Sequence, residues 1–158
     1  MEFLALPNES IVKEPASGNG AMAKVIEKYV SIVVSSDIRT DCYGIGGQDF
    51  LKSENQKVDA IITNPPFNLS EEFIHKAILQ ADTVAMLLKS QYWHAKKRLW
   101  LFENFPPAYV LPLTWRPDFL AHERKPGETG SPTMEVAWSV WIKGNTVTKY
   151  KPLKKPNI

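Results

Sequence analysis

The chain has little cysteine, no long apolar run and almost no net charge. Cys42 is the single cysteine among 158 residues. It has no partner for an internal disulfide and cannot build a multi-cysteine zinc site. No metal is therefore expected, and a reducing, cytoplasmic setting is. No apolar stretch reaches the roughly 18 residues of a membrane-spanning helix, so no membrane partner is expected. Residues 1–7 have neither a basic start nor a long apolar stretch, so no secretory signal is expected. A net charge of +2 is too small to imply nucleic acid by itself. The length fits one domain. With 44% hydrophobic and 23% charged residues, the composition is that of a soluble globular protein.

The chain does have alternating strand and helix signals. Ile11–Glu14 is a strand candidate, followed by a glycine-containing turn over 15–20. Residues 21–29 read as a helix, with Met22, Val25, Ile26 and Tyr29 on one face. The β-branched run 31–35 reads as a buried strand, and 49–51 as a short one. The segment between them, 38–48, holds three glycines and no helical pattern. Val58–Thr63 is an apolar strand. Ser70, Glu71 and Glu72 open a helix whose apolar face is Phe73, Ile74, Ala77, Ile78 and Ala81. Residues 83–88 read as a strand, 91–104 as a helix stopped by Pro106-Pro107, and 108–114 and 134–143 as strands. A polar Pro/Gly-rich excursion over 115–133 separates the last two strands, and such long loops are often functional. The pattern predicts an α/β fold: a mostly parallel sheet with an antiparallel pair at one edge.

The most informative local sequence is Asn64-Pro65-Pro66-Phe67, at the end of the strand Val58–Thr63. Proline fixes φ and lacks an N–H, so carbonyls there are held in place and free to accept. Beside an amide and an aromatic ring, they make a rigid polar corner suited to a planar group bearing an amine. A Pro-rich turn with Phe67 in the core fits the same four residues.

Further features stand upstream. Gly18-Asn19-Gly20 lies between the first strand and helix, where backbone can approach a ligand closely. Asp37 follows the second strand at a position suited to ribose hydroxyls, which also fits NAD. Glu14 suits a cofactor with cationic groups better than a pyrophosphate. Asp49-Phe50 offers a carboxylate and a ring to an adenine.

Together, residues 14–20, Asp37, Asp49-Phe50 and the Asn-Pro-Pro-Phe corner resemble the S-adenosylmethionine-dependent amino-methyltransferases. The resemblance is closest to DNA adenine-N6 methyltransferases of a small phage or bacterial type without a target-recognition domain. It runs from about Ile11 to Lys143 and implies a Rossmann-like, seven-stranded methyltransferase fold over residues 1–144, with 145–158 a basic tail. It implies S-adenosylmethionine as cofactor, held by Glu14, Pro15, Ala16, Gly18, Gly20, Asp37, Ile38, Asp49, Phe50 and Asn64. It implies Asn64, Pro65, Pro66 and Phe67 as catalytic residues, with Phe67 stacking on a flipped adenine.

The expected acceptor is DNA. RNA and a protein glutamine amide are alternatives, and so is a cofactor-binding module working with a second chain or as a homodimer. Lys96, Lys97 and Arg98 lie among aromatics, and Arg116, Arg124 and Lys125 fall in the 115–133 excursion. These are the candidate nucleic-acid contacts, although each cluster also fits a solvated face. About ten residues precede Ile11, so the family's usual wall over the methionine end of the cofactor is expected to be thin.

Overall fold

The computed structural model describes residues 4–156, so the reading of the first residues as lacking a signal lies partly outside them. Seven strands form one sheet: β1 (Ile11–Glu14), β2 (Ile32–Ser35), β3 (Val58–Thr63), β4 (Ala81–Lys89), β5 (Tyr109–Pro112), β6 (Val136–Ile142) and β7 (Lys149–Tyr150). Their order is β2-β1-β3-β4-β6-β5-β7. The pairs β1–β2, β1–β3, β3–β4 and β5–β7 are parallel, and only β6 runs against its neighbours. The sheet is therefore mixed and mostly parallel, in an α/β fold.

Three helices accompany it: α1 (Ala23–Ile26), α2 (Ser70–Gln80) and α3 (Leu99–Asn104). On one face, α2 packs Phe73, Ile74 and Ala77 with Ile61, Val84, Met86 and Trp141. On the other, Ile26 of α1 meets Val12, Ala60, Ile62, Ala85 and Val140. Alternation along β3 explains the division, since successive side chains point to opposite faces.

Several elements differ from the sequence reading. The helix expected over 21–29 is a single α turn. Val25 and Tyr29 are exposed rather than buried, and Lys28 and Tyr29 donate to i−3 carbonyls that tighten and end the helix. The strand after it is an edge, so Ile32 faces solvent. Residues 49–51 are a turn: Asp49 accepts from the Leu51 N–H through its side chain and from Lys52 and Ser53 through its carbonyl. The helix expected over 91–104 is broken into 3-10 turns at Ser90–His94 and Lys96–Arg98, with extended Ala95 between them, before α3. The break lets Tyr92 bury and Trp93 donate to Ser139 on β6. The seventh strand comes instead from the stretch read as a tail. There Lys149 and Tyr150 pair in parallel with β5, and the Lys149 ammonium lies 5.8 Å from the Tyr109 ring centroid.

Candidate functional site

The strand order sets the place of the site. From β1 the chain crosses to β2 on one side and then to β3 on the other, a topological switch point. Ligands of open α/β sheets bind outside the carboxyl ends of strands at such a point. A cavity of about 750 Å³ lies there. It has the size of a cofactor or small-molecule site.

Three groups of residues line it. Pro15 and Ala16 follow β1, and Asp37 and Ile38 follow β2. Asn64 to Phe67 follow β3. Asp49 and Phe50 add a wall from the long connection, and Phe119, Leu120, Pro132 and Met134 close the far side.

Asn64 is the most telling member. Its side-chain oxygen is shut off from solvent and has no hydrogen-bond partner among the described residues. Buried polar atoms are nearly always satisfied, so an orphan acceptor on a residue that lines the cavity calls for a donor. Pro66 holds φ −54° and ψ 124°, an extended setting that turns the chain out of β3. The Pro66 carbonyl is engaged by the Leu69 N–H at 2.9 Å, and Ser70 Oγ donates to the Phe67 carbonyl at 3.1 Å. Among the described residues no donor is bonded to the Pro65 carbonyl. The half-buried Phe67 carries the Lys89 ammonium 5.2 Å from its ring centroid. The corner therefore presents acceptors and a ring on a scaffold fixed by α2.

The cofactor-side residues divide. Asp37 is buried and ties the glycine loop to β2, accepting from the Gly18 N–H at 2.8 Å and the Arg39 N–H at 2.9 Å. Ile38 stands 64% exposed at the cavity wall. Phe50 is 4% exposed and packs on Phe73, with Lys13 and Lys76 over its ring, so little of it reaches the cavity. Asp49 lines the cavity while capping its own turn.

Glu14, Gly18 and Gly20 do not line it. Gly18 and Gly20 take positive φ, +50° and +80°. A Cβ on Gly20 would sit 2.4 Å from the Tyr43 ring. Tyr43 itself is pinned over the loop: its N–H donates to the Gly18 carbonyl, its carbonyl accepts from Ser17 Oγ, and its hydroxyl donates to Glu27. Glu14 is 2% exposed with one orphaned carboxyl oxygen. Burial pushes its pKa up to about 8, against the opposing Ala23 backbone hydrogen bond and helped by Asp37 and Glu27.

The candidate nucleic-acid cations are unequal as well. Arg124 is half-buried, bidentate to Asp118 and packed over Gly130, so it braces the cavity's outer wall. Arg116 pairs with Glu135 at 2.7 Å and Lys97 with Glu71 at 3.5 Å. Arg98 stacks on Tyr92, and Lys96 and Lys125 are exposed. The sequence reading missed Phe119, Leu120 and Met134. Apolar residues inside an otherwise polar loop were the available signal.

A metal site is absent among the described residues, and none of their helices is long and apolar enough to cross a membrane. No protein-family model and no curated protein matches the chain by sequence. Solved structures match it in fold. A candidate RNA methyltransferase from Pyrococcus horikoshii aligns at TM-score 0.63 and 15% identity, over 86% of this chain and 76% of that one. A candidate hemolysin from Lactococcus lactis aligns at TM-score 0.63 and 11% identity, over 96% and 88%. A dimethyladenosine transferase from Plasmodium falciparum aligns at TM-score 0.59 and 15% identity, over 87% of this chain but only 57% of that one. At these identities the likeness is one of architecture: the chain has the Rossmann-like fold these methyltransferases share.

Proposed function

We propose that the protein transfers a methyl group from S-adenosylmethionine to the exocyclic N6 amine of an adenine in DNA. The observation that carries this reading is the orphaned, buried Asn64 oxygen at the mouth of a proline-fixed corner. An exocyclic amine is a weak nucleophile because its lone pair is delocalised into the ring. The Asn64 oxygen and the Pro65 carbonyl would accept its two hydrogens and draw the nitrogen toward tetrahedral geometry. The lone pair then localises along a direction fixed by the corner, which is stabilisation by acceptors already in place. Phe67 would stack on the extruded base. The proton lost from the methylated nitrogen passes to water, so no strong general base is required.

The cavity beside the corner fits the nucleoside part of such a cofactor. Asp37 keeps lone pairs for ribose hydroxyls, Ile38 and Pro15 flank a planar ring, and Asp49 offers an acceptor to an adenine amine. Once bound, S-adenosylmethionine supplies an electrophilic sulfonium methyl.

RNA is the second acceptor reading. The names of the Pyrococcus and Plasmodium neighbours, an RNA methyltransferase and a dimethyladenosine transferase, favour it. Incubation with methyl-labelled S-adenosylmethionine and duplex DNA, total RNA or protein tests both. Label in DNA at N6 of adenine is expected. Label confined to RNA moves the acceptor, and label in no nucleic acid removes the reading.

A further inference from the structure

Phe67 also borders a smaller cavity. It measures about 110 Å³ and is lined by Phe67, Ser70, Lys89, Gln91, Tyr92 and Arg98. A water takes about 30 Å³ in the liquid, so the space holds a group of three or four such volumes, too little for a nucleoside. Its wall comes from the broken helix. The 3-10 turn Ser90–His94 buries Tyr92, and the next turn, Lys96–Arg98, brings a guanidinium onto it. Arg98 Cζ lies 3.8 Å from the Tyr92 ring centroid, and Nη1 donates to the Tyr92 carbonyl.

Two donors on these lining side chains have no hydrogen bond of good geometry, although Arg98 acts on the Tyr92 hydroxyl. The Tyr92 hydroxyl and the Arg98 Nε are both sealed from solvent without a partner among the described residues, and Tyr92 is only 4% exposed. Burial, with Glu71 and Glu72 nearby, pushes the Tyr92 pKa up to about 12 against the pull of Arg98, so at neutral pH the hydroxyl carries its proton. Lys89 adds an ammonium at the edge of the same space. Glu71 pairs with Lys97 at 3.5 Å, which offsets its charge. A small cavity bounded by a guanidinium, an ammonium and a buried hydroxyl is complementary to a compact oxyanion, and charge-assisted bonds of this kind are the strong ones.

We propose that this cavity receives the phosphate of the nucleotide whose base stacks on Phe67, bound by Arg98, Tyr92 and Lys89. The inference rests on reading the Asn64 corner as an adenine acceptor site, and it narrows that reading. A glutamine side chain of a protein has no phosphate to offer, so the pair of cavities selects a nucleotide.

The test is a binding cycle on the full chain. Fluorescence anisotropy would measure a short single-stranded DNA with one adenine, and a series each carrying one neutral methylphosphonate linkage. For the native chain, neutralising one linkage beside the adenine should weaken binding by roughly ten-fold, the scale of a hydrogen bond to a charged group. Arg98→Gln should cost a similar factor and lower the salt slope by about 0.7, with no further loss when that linkage is also neutralised. Tyr92→Phe removes only the hydroxyl and should show the same non-additivity at smaller size, which keeps the test open if Arg98→Gln fails to fold.

Additive penalties, or equal effects at every linkage, overturn the phosphate pocket while labelled methyl on the adenine leaves the acceptor reading standing. Labelled methyl found only on protein overturns both. Thermal protection of the native chain by inorganic phosphate, lost in Arg98→Gln and without any linkage effect, assigns the cavity to free phosphate and overturns the proposal.

Discussion

The loop after β1 and the corner after β3 end neighbouring strands, yet they are finished in opposite ways. At the corner, prolines fix the backbone and leave the Asn64 oxygen and Pro65 carbonyl unspent. At the glycine loop, the chain satisfies itself. Asp37 takes the Gly18 N–H, and Tyr43 occupies the space that the missing Cβ of Gly20 leaves. One end keeps acceptors without partners among the described residues, while the other is packed by its own sequence. The difference teaches that glycine spacing alone does not mark an open ligand site, since the close approach can be to the protein's own ring.

The comparison can be broken most sharply at Asn64. Asn64→Ala should lower methyl transfer by roughly 10²–10³-fold, the scale of losing one preorganised hydrogen-bonding group, with cofactor affinity nearly intact. Labelled-methyl kinetics beside calorimetric cofactor titration would check it; equal loss of both would move Asn64 to the cofactor side. Phe67→Ala should come next, weakening acceptor binding by about 1–3 kcal/mol, the range for base–aromatic stacking. A KM for the acceptor that does not rise would remove the stacking role.

At the loop, Gly20→Ala should act on stability before activity. The φ of +80° costs a side chain about 1–2 kcal/mol, and the Tyr43 ring clash adds to it. A chain of this size loses about 2–4 °C of Tm per kcal/mol. Adding Tyr43→Ala should restore the clash part and not the φ part; no restoration would show that Tyr43 is not the obstacle.

The last test is at Glu14. The unfolded carboxyl ionises at its ordinary value of 4.5, whereas the folded one keeps its proton to about 8. Between those values the folded state binds more protons, so this group's contribution falls as pH rises. Denaturant titrations from pH 5 to 8 should show a decline that Glu14→Gln flattens. Identical slopes would mean that Glu14 ionises normally in the fold.

The sequence was most readable where one physical rule governed each residue. Apolar runs located β3, β4 and β6 to within two residues at either end, because burial on both faces leaves only hydrophobic choices. The acidic first turn, Glu71 and Glu72, and the periodic Phe73, Ile74 and Ala77 located α2, although Ser70 is its first helical residue rather than its N-cap and Ala81 already begins β4. It was least readable where tertiary contacts outweighed local pattern. The periodicity of 91–104 is helical, yet the Trp93–Ser139 bond and the burial of Tyr92 break it. Lys149 and Tyr150 carry no strand signal, because a two-residue edge pairing is made by backbone groups common to every residue.

At the site, the motif reading brought Asp37, Asp49, Phe50 and the corner to one cavity. It did not foresee that Phe50 would be mostly covered, that Arg124 would be spent on Asp118, or that the excursion would wall the cavity. Those outcomes depend on which chain segments meet, and no local pattern encodes that.

The reversed strand β6 also sets when the site can exist. Its register runs from Thr83 opposite Ile142 to Lys89 opposite Val136, a pairing of distant segments. Such non-local pairings form slowly, because loop closure must precede the contacts that reward it. Residues 131–134 of the cavity wall lead directly into that strand. During synthesis the corner and the glycine loop are therefore complete long before the wall that faces them. A chain halted before β6 would have both halves of the site and a wall not yet anchored to the sheet, leaving its apolar pocket open to water and to other chains.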